Sequence, residues 1–280
     1  MFGHVEKRKP LLSGRPVYCC RFLRLASAVL ALVLVPGGVA SASAEGPLVA
    51  AASDLRFALE EVAASFRDDT GASVRLTFGS SGNFARQIRQ GAPFQIYFSA
   101  DEDYVLDLAR DGFTRDEGTL YAVGRIVLMI PHGSPLKSDG SLDDLKAALS
   151  YGRVTRFAIA NPEHAPYGKR AEEALRHKGI WDEIGPRLIL GENVSQAAQY
   201  ATSTNTQGGI IAYSLALSPT VSRLGSYALI PAHWHTALRQ RVVLLKSAGA
   251  TAERFYGYLQ QPAARAIFQT YGFTLPGEAS

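Results

Sequence analysis

Two short segments carry residue types that could hold an anion. Gly79-Ser80-Ser81-Gly82-Asn83 is a run of small residues, hydroxyls and backbone N–H groups. It lies between an alternating stretch, residues 73–78, and a segment with Phe84 and Ile88 at helical spacing. A strand-to-helix turn of that kind gathers unpaired amides at the positive end of a helix dipole. Ala51-Ala52-Ser53-Asp54 is the second segment, with Leu55, Leu59, Val62 and Phe66 following at helical period. Ser53 fits a plain N-cap as well as an anion contact, and Asp54 in the first turn suits the dipole. Ser80 and Asn83 fit turn and cap roles.

Motifs for bond-breaking chemistry are missing. With Ser81 centred, position 83 is Asn; with Ser80 centred, position 78 is Phe. Neither serine therefore sits in a Gly-x-Ser-x-Gly elbow. His-Glu-x-x-His, a P-loop and Gly-x-Gly-x-x-Gly do not occur. His233-Trp234-His235 offers two histidines at i, i+2 without a third ligand nearby and reads as a loop, as does His164. The expectation is a binding protein, not an enzyme, with no cofactor; a secreted hydrolase is the weaker alternative.

The elements that must position these segments follow in chain order. An apolar strand over 48–52, a helix, a strand and a second helix give a strand–helix–strand–helix order. That order implies a parallel sheet with both serine turns at its carboxyl edge, where ligands of open α/β sheets bind. Ser53 and Ser81 are thus expected to face one crevice. Further strands are expected over 95–100, 157–160, 188–190, 210–213 and 241–245, with helices opening at Asp101, near Pro166 and after Val194. Residues 121–130 are nearly all apolar, long enough to leave one domain and pass into another. Lobe I is expected over 45–124 plus 240–280 and lobe II over 125–239.

The N-terminus bears on composition. Lys7, Arg8, Lys9, Arg15, Arg21 and Arg24 precede an apolar core over 25–35, and Ala42-Ser43-Ala44 precedes Glu45. That order is a secretory signal peptide, residues 1–44, cleaved near Ala44, with an apolar core too short to span a bilayer. The whole chain has 29 Lys/Arg and 25 Asp/Glu, and the leader holds six and one of them. The remainder is close to neutral, so bulk charge does not select a nucleic-acid partner. Cys19 and Cys20 both fall in the leader, leaving no thiol nucleophile or disulfide.

Five motifs in order carry a family resemblance: Ala51-Ala52-Ser53, Gly79-Ser80-Ser81-Gly82, Phe98-Ser99-Ala100-Asp101, Asn161-Pro162-Glu163-His164-Ala165-Pro166-Tyr167-Gly168 and Tyr271-Gly272-Phe273. Together they resemble the periplasmic molybdate-binding proteins, the capture components of molybdate ABC transporters, over residues 47–276. The resemblance implies an α/β, two-lobed periplasmic-binding-protein (venus flytrap) fold, with an open, mainly parallel sheet in each lobe and the oxyanion held between lobes that close by hinge motion. It further implies a monomer that delivers molybdate, and tungstate with it, to an inner-membrane permease. Carried over residue by residue, the ligand contacts fall on Ser53, Asp54 and Ser81 from the first lobe, and on Tyr167 and the amide near Val194 from the second. Asp54 is expected to use its backbone N–H with its side chain turned to solvent, because a carboxylate repels a dianion. Tyr213 is the reserve tyrosine, placed on a strand facing away. Hydroxyls and amides suit a dianion whose oxygens are all acceptors. Another tetrahedral oxyanion (sulfate or phosphate) or a small organic acid is the alternative ligand.

Overall fold

The computed structural model describes residues 46–277; the expected signal peptide lies outside them. Among the described residues, ten strands form two five-stranded sheets: β1 (Leu48–Ala52), β2 (Arg75–Gly79), β3 (Ile96–Ser99), β4 (Thr119–Gly124), β5 (Ile126–Pro131), β6 (Phe157–Ala160), β7 (Leu188–Gly191), β8 (Gly209–Ala212), β9 (Gly225–Leu229) and β10 (Leu238–Leu244). The orders are β2-β1-β3-β10-β4 and β7-β6-β8-β5-β9. In the first sheet only β10 runs against the other four strands, and in the second only β5 does. Each sheet belongs to one lobe of a two-lobed α/β fold.

Apolar runs read as strands because they are covered on both faces. In β1, Val49 and Ala51 pack with Leu55, Phe66, Phe98 and Phe255 on one face. Ala50 packs with Phe84, Ile88 and Tyr97 on the other. The alternation is the period-2 geometry of a strand. The second lobe buries Val127, Leu128, Phe157, Ile159, Leu175 and Ile211 in one cluster. The helix Arg56–Thr70 stops at Gly71, whose φ of 69° is the left-handed conformation that ends a helix without a Cβ clash.

The apolar run over 121–130 is two strands. It breaks at Arg125, so that β4 pairs with β10 in the first sheet and β5 with β8 and β9 in the second. The Arg125 carbonyl accepts from the Tyr213 N–H at 2.9 Å, which pins the crossing. The chain returns between β9 and β10. Strand β9 escaped the sequence reading because Gly225-Ser-Tyr-Ala-Leu229 is half-exposed and lacks an apolar face. Tyr213 is also a correction: β8 ends at Ala212 and Tyr213 opens a short helix, its ring against Tyr227.

Candidate functional site

Register brings the serine turns together. Ala52 pairs with Gly79, so β1 and β2 end level and Ser53 emerges beside Ser80 and Ser81. In the second sheet Ala160 pairs with Gly191, so β6 and β7 also end level. The chain then enters the helices Pro166–His177 and Val194–Ala201. Proline at the first helical position there has no N–H to leave unpaired. Ser53, Asp54, Ser81, Tyr167 and Val194 all line one small pocket, together with Gly79, Ser80, Ala165 and others. Three α-helices, beginning at Ser81, Pro166 and Val194, point their positive ends at it.

The serines are oriented as donors. Ser81 is fully buried and its Oγ accepts from the Ala100 N–H at 3.0 Å, which leaves its hydroxyl hydrogen to donate. Ser53 Oγ accepts from the Ser195 N–H at 3.2 Å, while Ser195 Oγ donates to the Ser53 carbonyl at 2.8 Å. The capping role for Ser53 is corrected by this geometry: it is the first residue of the 3₁₀ turn Ser53–Leu55, and its hydroxyl reaches across the cleft instead.

Asp54 also departs from expectation. Its side chain is buried, not turned to solvent. Tyr167 Oη donates to Asp54 Oδ2 at 3.0 Å and Gln240 Nε2 donates to the same oxygen at 2.7 Å. Gln240 also donates to Tyr167 Oη at 3.1 Å and accepts from Tyr121 Oη at 2.6 Å. Among the described residues no donor stands in hydrogen-bond geometry to Asp54 Oδ1. Burial pushes the carboxyl up to about 6, against the bonds from Gln240 and Tyr167 and the nearby amides of Asp54 and Leu55. Burial, then the Asp54 charge, holds the Tyr167 hydroxyl well above its ordinary range, so it stays a donor. Gly124 makes room for this cluster, since a Cβ there would run into Tyr167 Oη and Gln240 Nε2. Sequence reasoning missed Gln240 and Tyr121. The only signal was an amide inside an otherwise strand-like run.

Closer to the rim, further bonds tie the lobes. Ser80 Oγ and His164 Nδ1 are 2.9 Å apart, the Gly82 N–H donates to the His164 carbonyl at 3.0 Å, and Asn83 bonds Glu192. A Cβ at Gly82 would meet that carbonyl. Arg170 pairs with Asp101 at 2.8 Å and Ser214 Oγ donates to the Asp54 carbonyl at 2.8 Å. The pocket inside these ties has a volume of about 10 Å³, room for roughly one water. Larger cavities of about 370 and 440 Å³ lie beside Phe57 and beside Trp181, but neither gathers neutral donors from both lobes. His233 packs against Trp234 and His177, and the described residues hold no group of three His, Cys, Asp or Glu able to bind a metal ion.

Two α/β lobes closing on a small, donor-lined pocket define a solute-binding protein. The chain belongs to the bacterial extracellular solute-binding protein family, whose profile matches residues 47–274. It is similar to the molybdate-binding protein of Rhodobacter capsulatus, 33% identical over 255 residues covering 90% of this chain and 96% of that protein. The molybdate-binding protein of Escherichia coli K12 is 31% identical, covering 81% and 88%. Among solved structures, the Azotobacter vinelandii periplasmic molybdate-binding protein superposes with a TM-score of 0.73 at 31% identity, covering 82% of this chain and 99% of that one. The sulfate-binding protein SubI of Mycobacterium tuberculosis shares the fold, with a TM-score of 0.67 at 14% identity over 83% and 88%.

Proposed function

We propose that this chain captures molybdate outside the cytoplasmic membrane and delivers it to the permease of an ABC importer, with tungstate bound alongside it. The observation that carries the reading is the convergence of Ser53, Asp54, Ser81, Tyr167 and Val194, drawn from both lobes, on one pocket. The names of the relatives support molybdate as the ligand. Ser53, Ser81, Tyr167 and the amide at Val194 supply hydrogen bonds to the anion oxygens without a buried counter-charge, which would be expensive to desolvate. The protein binds and releases; it makes and breaks no covalent bond. Export follows from the leader over 1–44, cleaved near Ala44, and places the monomer in the periplasm.

The pocket volume favours a hinge. A tetrahedral oxyanion is larger than the space inside the closed ties, so lobe I (45–124 with 240–280) and lobe II (125–239) part about the crossings at Arg125 and between β9 and β10. Small-angle scattering is expected to show a more compact bound form, and identical profiles with and without molybdate would speak against it. A second reading rests on Asp54: a carboxylate in the pocket accepts hydrogen bonds, which favours an oxyanion that keeps a proton, such as hydrogen phosphate.

A thermal-shift panel tests the ligand. At a thousand times Kd, binding stabilises by about 4 kcal/mol, a rise of roughly 10 °C for a chain of this size. Molybdate and tungstate are expected to give that rise and sulfate none. Stabilisation by an organic acid alone overturns the reading.

A further inference from the structure

Asp54 is an unusual residue for a site built to hold a dianion. It lines the pocket, is 1% exposed, and has one oxygen with two fixed donors; among the described residues no donor stands in hydrogen-bond geometry to the other, although the amides of Asp54 and Leu55 lie near the carboxyl. Its carboxylate also takes the single O–H of Tyr167, the hydroxyl that the oxyanion reading needs for the ligand. Both conflicts end if the carboxyl carries a proton. Oδ1, the oxygen that takes neither the Tyr167 nor the Gln240 bond, is where that proton would sit, turning an acceptor into a donor. The Tyr167 hydroxyl is then released to bond the anion, and Gln240 still holds Oδ2.

We propose that capture of a tetrahedral dianion at this site takes up one proton from solvent, carried by Asp54, so that affinity falls as pH rises. This rests on the oxyanion reading and deepens it: Asp54 determines that the site takes anion and proton together. The balance is simple, with one proton and one dianion joining the carboxylate form of the protein and nothing leaving.

Among the described residues, those that hydrogen-bond Asp54 or neighbour it in the cluster include no second acid. Its own turn brings Ser53 and Leu55, the helix Pro166–His177 brings Tyr167, β4 brings Tyr121, and β10 brings Gln240. Ser214 reaches only the Asp54 carbonyl, and Ser195 only Ser53. The two tyrosines are held protonated by burial. Among the charged residues of those elements, Arg239 and Arg241, either side of Gln240, pair with Glu102, Arg170 pairs with Asp101 and Glu173, Arg176 pairs with Glu172, and Lys169 lines a separate pocket beside Asp101 and Asp107. In keeping with this, burial already pushes the Asp54 carboxyl up to about 6, and an adjacent dianion raises it further.

Calorimetric titration of the exported protein with low-micromolar sodium molybdate, at pH 7.5 in PIPES and in Tris, reads proton uptake directly. The apparent enthalpy is expected to differ between buffers by close to one proton's ionisation enthalpy per molybdate bound. Affinity is expected to weaken toward tenfold per pH unit above about pH 6. Asp54→Asn, which presents an amide donor permanently, is expected to bind molybdate with no buffer dependence and no pH slope. Molybdate binding by the wild-type protein with zero uptake overturns the proposal, and so does an Asp54→Asn variant that keeps the slope. Preference for phosphate with zero uptake also overturns it, because Asp54 then stays an acceptor. If neither molybdate nor tungstate binds at pH 6, where the carboxyl is already half protonated, the oxyanion reading itself fails; the two failures are therefore distinct. The two-buffer comparison needs no variant to fold.

Discussion

The pocket floor and the cleft rim both join the lobes, but they differ in burial. On the floor, Asp54, Tyr167, Gln240 and Tyr121 form one chain of hydrogen bonds, none more than 4% exposed. At the rim, Asn83 meets Glu192, whose side chain is 61% exposed. A bond made in water replaces bonds to water and nets little, whereas a buried group that loses its partner has no substitute. The Asn83–Glu192 contact can therefore break at small cost, whereas the proposed proton uptake would make the floor set what charge the site accepts.

Breaking the floor should have the largest effect. Gln240→Leu removes three buried hydrogen bonds and leaves Asp54 with Tyr167 alone. Urea unfolding at pH 7.5 is expected to show a loss of about 3 kcal/mol, and a loss below about 1 kcal/mol would mean that the cluster is not a network. Next comes Ser81→Ala, expected to weaken molybdate binding by about 2 kcal/mol with the fold intact; unchanged affinity by calorimetry would remove Ser81 from the site.

Asp54→Asn sharpens the comparison through pH. Burial raises this acid from 3.8 to about 6 in the folded protein. The stability contributed by its protonated form is fully present below about pH 4 and is lost as pH rises through about 6. The variant, having no charge to bury, is expected to gain up to about 3 kcal/mol over wild type at pH 7.5 and little at pH 4. Melting curves at both values check the sign, and equal shifts would contradict it. Smallest is the rim: Asn83→Ala is expected to change stability by under about 0.5 kcal/mol, and a larger loss in urea unfolding would erase the distinction between rim and floor.

The residues that come together were legible wherever they stood at the end of an apolar run. Ser53 and Ser81 follow β1 and β2, and the level ending of parallel strands puts them side by side. Tyr167 and Val194 came from the resemblance alone, since an isolated tyrosine and a helix-start valine carry no pattern of their own. Asp54 was misjudged because repulsion from a dianion was expected to turn its carboxylate to solvent, whereas its burial is supported by Gln240, more than 180 residues along the chain. Gln240 itself was hidden for the same reason: one amide in Leu238-Arg-Gln-Arg-Val-Val-Leu244 gives no sign that it faces a carboxylate. The break at Arg125 was legible because Gly124 and Arg125 interrupt the apolar run, and there the chain passes from the first sheet to the second.

The proposed capture of a tetrahedral dianion in one pocket between the lobes can be read in a single experiment. Titration calorimetry of the protein at pH 6, with molybdate and with sulfate in parallel, tests it most directly. One molybdate per chain is expected to bind, with sulfate far weaker. No heat with molybdate, or an equal response to sulfate, would contradict it.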